Sequence, residues 1–300
     1  SIGKILSITF DQAPPDIHGY SGIVLHRRGS EFTLQLCGKD IRVFVDSGSE
    51  VNSITLATFQ SSMYDASDFQ YIRRVGLVTW AGVQEIDVGS LLHVPLLYSD
   101  HLTICTSFVV LPVTDNILGL GFLIDTGCKQ EWRRNGDAIL WVRDEHIIHC
   151  DIGHFKTPGL YMTLDFKGVR VQALIDSGAS DSLITHDLVE QLNLYVNPIP
   201  RVALDANSHS VRIYGVVPQL IIQTDERATW DFFDVFPHQG NLLVPNLSVI
   251  DNNQDKLTLG RSFLKQFNCV IDYETTTLYI QKPNGKYIAV ILRQIQIEIV

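Results

Sequence analysis

VFVDSGSEVNSIT, residues 43–55, and ALIDSGASDSLIT, residues 173–185, each run an apolar segment into Asp-Ser-Gly and then turn apolar again. Laid over each other, they place Asp46 on Asp176, Ser47 on Ser177, Gly48 on Gly178 and Ile54-Thr55 on Ile184-Thr185. The two Asp are 130 residues apart (176 − 46). For either copy alone the plain reading is a turn, with the Asp side chain capping backbone amides at the end of a strand. A second copy opens another reading, in which two halves of one chain each supply one carboxyl to a common site.

The repeat continues downstream. NILGLGFLIDTGC (116–128) matches LTLGRSFLKQFNC (257–269), with the Cys following the first Gly at the same interval in both. Between these anchors, VTWAGVQEIDVGSLLHVPL (78–96) and VALDANSHSVRIYGVVPQL (202–220) each read as two strands joined by a turn and closing on Gly89 or Gly215. The extra length of the second copy is expected in a Pro/Asn/Asp-rich loop around 237–256. A Gly/Pro connector, CDIGHFKTPG (150–159), divides the chain into halves 1–152 and 153–300. It is short, so the halves are expected to pack against each other.

Period-two patterning dominates. FTLQL (32–36), IRVFV (41–45), LYMTL (160–164), VRVQALI (169–175), TLYIQ (277–281) and QIQIEIV (294–300) are β-branched or aromatic runs bounded by turn residues. Helical patterning is confined to 54–63, 182–194 and a turn or two near 122 and 263. The fold class is therefore all-β with a few short helices. QIQIEIV reads as an ordinary strand, or as one that pairs with the N-terminal ILSITF (5–10) to tie the halves together.

Three hundred residues, 45% hydrophobic and 19% charged, suffice for two cored units. A formal net charge of −10, with basic clusters no longer than the pairs Arg73-Arg74 and Arg133-Arg134, argues against nucleic-acid binding. No apolar run reaches the ~18 residues of a membrane span, and SIGKILSITF (1–10) lacks the zones of a signal peptide. The five cysteines, Cys37, Cys105, Cys128, Cys150 and Cys269, form no CxxC. They read as buried, reduced core residues, which implies a reducing, cytoplasmic compartment. His146-Ile-Ile-His149-Cys150 reads as a strand or its end, not a metal site.

Two carboxyls within about 3 Å of each other cannot both ionise: one stays protonated while the other can activate a water. Apolar residues before each Asp enlarge that split, and the Gly after the hydroxyl residue lets backbone approach backbone. This is the requirement of an aspartic peptidase, and a duplicated chain meets it without a second molecule.

ALIDSGASDSLIT with LTLGRSFLKQFNCVIDYETTTLYI resembles the retropepsin-like aspartic proteases, especially those of gypsy-type long-terminal-repeat retrotransposons. VFVDSGSEVNSI with ILGLGFL resembles the same superfamily, its ILGL being closer to the retroviral-protease-like domain of ubiquitin-dependent shuttle proteins. The resemblance covers nearly the whole chain as two tandem units. It implies two partly closed retropepsin-like barrels related by a pseudo-twofold axis, and an endopeptidase of retroelement origin that needs no cofactor or metal. Asp46 and Asp176 would be the catalytic pair, Ser47 and Ser177 would brace it across the interface, and Gly48 and Gly178 would lie beside bound substrate. Flaps carrying Trp80, Ala81, Gly82 and Asp205, Ala206, Asn207 would close over an extended peptide or polyprotein segment. Ile117-Leu118-Gly119 and Thr258-Leu259-Gly260 would thread behind the Asp loops.

Four features depart from the pattern: Glu50 two places after Gly48, Leu120 where the second copy has Arg261, polar Thr258, and flaps of unlike chemistry. The eye-catching Asp125-Thr126-Gly127 falls on Gln266-Phe267-Asn268 in the alignment, after the short helix, and is not expected to be catalytic. A second function class stays open, a catalytically silent module that keeps the fold for dimerisation or peptide binding. So does a homodimer in which each copy pairs with its counterpart in another chain.

Overall fold

A computed structural model describes residues 2–27, 29–79, 82–204, 210–224, 241–282 and 285–295. The described chain is mostly β, with four short helices: Leu56–Ser61, Leu120–Asp125, His186–Gln191 and Arg261–Gln266. No helix among these residues is long and apolar enough to cross a membrane.

Each half carries a hairpin whose two-residue turn has both residues at positive φ: Cys37 (53°) with Gly38 (77°), and Lys167 (52°) with Gly168 (92°). That geometry matches the right-handed twist of the flanking strands, which explains tight hairpins at the same place in both copies. In the first half, Glu31–Leu36 pairs with Lys39–Val45, then Asn116–Leu118, Ser53–Thr55, Leu102–Leu111 and Gly82–Ser99, which returns to the first strand at Gln35↔Leu97. The ring is closed.

The second half repeats the path through Gly159–Phe166, Val169–Ile175, Leu257–Leu259, Leu183–Thr185, Asn241–Ile250 and Gly215–Gln223. Its closure differs. The N-terminal strand Ile2–Ile5 is inserted between Gly215–Gln223, to which it runs parallel, and Gly159–Phe166, to which it runs antiparallel. Ile5 is buried there, and Gly3 lies against the Phe166 ring with no room for a side chain.

A third sheet joins the halves in the order Ile8–Gln12, Tyr287–Ile291, Thr277–Gln281, Val270–Asp272, Lys129–Trp132, Ala138–Arg143, Tyr20–Leu25. At its centre the two copies pair with each other, Lys129↔Asp272 and Gln130↔Ile271. The Lys129 ammonium sits 3.1 Å from Asp272 with both side chains nearly solvent-free (4% and 7% exposed). Losing Lys129 would leave the Asp272 carboxyl buried without its cation at a cost of about 3–5 kcal/mol, whereas Lys129 has a second partner in Glu274 at 3.6 Å.

Several expectations are corrected. Residues 182–194 are not one helix: Leu183–Thr185 is a fully buried strand, and only His186–Gln191 is helical. Likewise Ser53–Thr55 is a strand before the Leu56–Ser61 helix. Pairing with the long strands of each barrel overrides the local helical pattern. The presumed loop at 237–256 contains the strand Asn241–Ile250. Residues 224–240 separate that strand from Gly215–Gln223, whereas Asp100 and His101 alone link the counterparts in the first half.

Of QIQIEIV, Gln294 and Ile295 belong to the strand Arg293–Ile295, which pairs with Gly159–Phe166; 296–300 lie outside the described residues. The strand that meets Ile8–Gln12 is Tyr287–Ile291. All five cysteines are free, but Cys37 is exposed at its hairpin turn and Cys105 is half-buried. The others are core residues: burial pushes the Cys128 thiol up to about 12 and Cys150 to about 11. Ile147–Cys150 is a strand, parallel to Leu102–Leu111.

Candidate active site

Each Asp-Ser-Gly sits at the end of a buried strand. Val43, Val45, Ala173 and Ile175 are fully buried, so the chain arrives at Asp46 and Asp176 from the core. The apolar-apolar-Gly segments run parallel to those strands, and the Asp46 and Asp176 amides donate to the Leu118 and Leu259 carbonyls, both at 3.0 Å. Each Asp accepts from the amide two residues on, Gly48 N–H (2.8 Å) or Gly178 N–H (2.9 Å). The turn reading is therefore correct as local structure.

It is not the whole structure. The Ser47 amide donates to Ser177 Oγ (2.9 Å) and the Ser177 amide to Ser47 Oγ (2.8 Å). Each hydroxyl then donates onward to the other half, Ser47 to the Ile175 carbonyl (2.9 Å) and Ser177 to the Val45 carbonyl (3.2 Å). These four reciprocal bonds hold the two turns together, so that each Asp carboxyl lies against the glycine of the other half. A Cβ built on Gly48 would collide with the Asp176 carboxyl, and one built on Gly178 with that of Asp46. Glycine is thus required by the partner half's Asp, at φ values that any residue could adopt.

Burial, and then the neighbouring Asp46 charge, hold Asp176 well above the ordinary carboxylate value. Beneath the pair, Tyr273 donates to Gln130 Oε1 (2.7 Å) and lies beside the Ser47 and Ser177 hydroxyls. Burial drives its phenol far up, so it stays a neutral donor.

The flanks of the pair differ. Arg261, buried at the start of its helix, donates to the Ser177 carbonyl (2.9 Å); its counterpart Leu120 is buried in the apolar core. Glu50 is held by Lys156 at 3.2 Å. Burial raises its carboxyl while Lys156 opposes the shift. Thr258 is buried and pairs with Leu183.

Two residues on the Asp176 side are not evident from the motifs. Tyr161 donates to Asp255 (2.6 Å), and Asp255 is raised by burial and by the Asp176 charge, with the Tyr161 bond opposing. The Tyr161 phenol in turn is raised by burial and by the charges of Asp255, Glu50 and Asp176. The one sequence signal was positional: Tyr161 occupies the register of Glu31, opposite Leu174 as Glu31 is opposite Phe44.

Asp125 is not part of this site. It is exposed at the end of the Leu120–Asp125 helix, where Thr126 is the cap and Gly127 takes φ 63°. There Asp-Thr-Gly spells a helix C-terminus. The flanking hairpins are Tyr71–Thr79 with Gly82–Ser99, and Arg201–Leu204 with Ser210–Ile213. Gly82 pairs with Thr79, while Trp80, Ala81, Asp205, Ala206 and Asn207 lie outside the described residues. Among the described residues, no group of three or more His, Cys, Asp or Glu could hold a metal ion.

A two-barrel β fold with paired Asp-Ser-Gly turns is the arrangement against which known proteins can be compared. Residues 162–263 match the family model described as aspartyl protease. No curated protein matches the chain. Among solved structures, the retroviral protease-like domain of Ddi1 from Leishmania major is similar at 23% identity. That alignment covers 44% of this chain and 94% of the Ddi1 domain, with a TM-score of 0.32.

Proposed function

We propose that this chain is an aspartic endopeptidase whose catalytic pair is Asp46 and Asp176, one from each half. The observation that carries the reading is the reciprocal serine bonding between the two Asp-Ser-Gly turns. The match of residues 162–263 to the aspartyl protease family supports it.

In this mechanism the pair holds one proton, on Asp176, the member raised by burial and by its neighbour. Asp46 takes a proton from a water as that water attacks the scissile carbonyl carbon, and Asp176 donates its proton to the carbonyl oxygen. The diol collapses as Asp46 passes its proton to the leaving nitrogen and Asp176 recovers one from a hydroxyl. The substrate is an extended peptide, taken from a polyprotein of retroelement type, lying between the Asp turns and the two hairpins. We place the protein in a reducing, cytoplasmic setting and expect it to act as a monomer of 33.7 kDa.

The test is cleavage of a peptide library between about pH 4 and 7 by wild type, Asp46→Asn and Asp176→Asn. Either substitution alone is expected to reduce cleavage to background, because the pair acts as a unit. Cleavage that survives Asp46→Asn would overturn the intramolecular pair. Peptide binding without cleavage by wild type would establish the silent module instead.

A further inference from the structure

The connector between the halves makes more contacts than a tether requires. Its Gly153 carbonyl accepts from the Asn52 amide (2.7 Å), and its Thr157 amide donates to the Glu50 carbonyl (2.9 Å). Both partners belong to the loop that carries Asp46. Lys156 adds the ion pair to Glu50. Asn52 is itself a junction: its Oδ1 accepts from the Gly119 amide (2.7 Å) and its Nδ2 donates to Thr106 (2.8 Å).

Two glycines make room for the connector. A Cβ on Gly153 would collide with the Asn52 side chain and the Ser107 carbonyl, and one on Gly121 would crowd Thr157. Between these anchors the connector inserts His154, only 4% exposed, against the first hairpin. Its ring stacks on Tyr71 at 5.6 Å and 14°, and Phe155 covers it at 4.0 Å. Tyr71 is the first residue of the hairpin's outer strand and pairs with Ser90.

The second half is built otherwise. Ser180, the counterpart of Glu50, gives its carbonyl to the Ser262 amide (3.1 Å) of its own half, and Ser182 replaces Asn52 beneath Gly260 (3.1 Å). The base of the second hairpin rests on the Asn197↔Val216 bridge, and its Arg201 reaches the Asp176 loop directly, 3.8 Å from Asp181, with no connector between them.

We propose that residues 152–157 form a strap that locks the base of the first hairpin to the Asp46 loop, with His154 as a positioning residue for peptide hydrolysis. This rests on the aspartic-peptidase reading and adds a mechanical link to it: the first hairpin and Asp46 move as one body.

The experiment is amide hydrogen exchange on the full chain, together with peptide-cleavage kinetics, for wild type, His154→Ala and His154→Phe. In His154→Ala, exchange should rise about ten-fold at both 70–72 and 50–53, with 201–204 and 210–213 unchanged. KM should rise roughly three- to ten-fold with a smaller change in kcat, and His154→Phe, which keeps a ring in the stack, should restore both. A uniform rise across the chain, a rise at only one of the two segments, or no rise would overturn the strap. If wild type cleaves nothing, the peptidase reading fails, and the exchange pattern still decides whether the strap exists.

Discussion

The two Asp-Ser-Gly turns are nearly superimposable in their bonding, yet the shells around them are not. On the Asp46 side the shell is a buried Leu120, with a connector strapped to the loop through Asn52 and Glu50. On the Asp176 side it is a buried Arg261 bonded to the turn carbonyl, with the hydrogen-bonded Tyr161 and Asp255 near enough for the Asp176 charge to raise Asp255. The lesson is one of degrees of freedom. The four serine bonds tolerate no asymmetry because each half completes the other, whereas each shell is answerable only to its own half.

The sharpest way to break the comparison is to exchange the shells. Leu120→Arg would bury a charge with no counterpart of the Arg261 site and should cost about 3–5 kcal/mol in urea unfolding. If it costs less than about 1 kcal/mol, the two shells are interchangeable. The reverse exchange, Arg261→Leu, strands the Ser177 carbonyl, and about 1–3 kcal/mol is expected.

The glycines test the shared core. Gly48→Ala and Gly178→Ala each force the opposite carboxyl out of place, so both should abolish cleavage and destabilise by about 1–3 kcal/mol. Unequal losses of activity would show that one carboxyl can give way without the other. Ser47→Ala and Ser177→Ala each remove two bonds across the interface, and costs of about 1–2 kcal/mol, equal within error, should appear in thermal unfolding.

The smallest effect is in pH. Because the folded protein holds the Asp176 proton above the ordinary value of 3.8, the unfolded chain ionises first as pH rises. Asp176 therefore contributes stability at low pH that is lost as pH climbs through its raised folded value, opposite in sign to a salt-bridged carboxylate. Asp176→Asn should remove that loss. Its stability relative to wild type should grow from about pH 4 upward and then level off; a gap that shrinks with pH would refute the assignment.

Much of this was legible in the sequence. One alignment nominated Asp46 and Asp176 as a candidate pair by matching the two Asp-Ser-Gly turns that the serine bonds link, and it placed Asp125-Thr126-Gly127 at a helix end, where it lies. What was not legible has identifiable causes. Ile2–Ile5 joins the second barrel through strands more than 150 residues away, which no local period can reveal. Cys37 is apolar in composition terms, but its left-handed turn conformation puts it outside. Leu183–Thr185 has a helix-like neighbourhood, and only its pairing with Asn241–Ile250 makes it a strand. Asp255 and Tyr161 carry no motif, and only the folded chain brings them together.

By itself, the sequence determined that the chain is a duplicated β protein with one Asp-Ser-Gly turn per copy, because turn chemistry and period-two burial are local properties that survive in a string of letters. Tertiary structure alone decided that the two serines exchange hydrogen bonds, that each glycine is shaped by the other half's Asp, and that the N-terminal strand completes the far barrel. Those are contacts between residues distant in sequence. Their energies depend on separations of a few ångströms, which depend on how the whole chain packs.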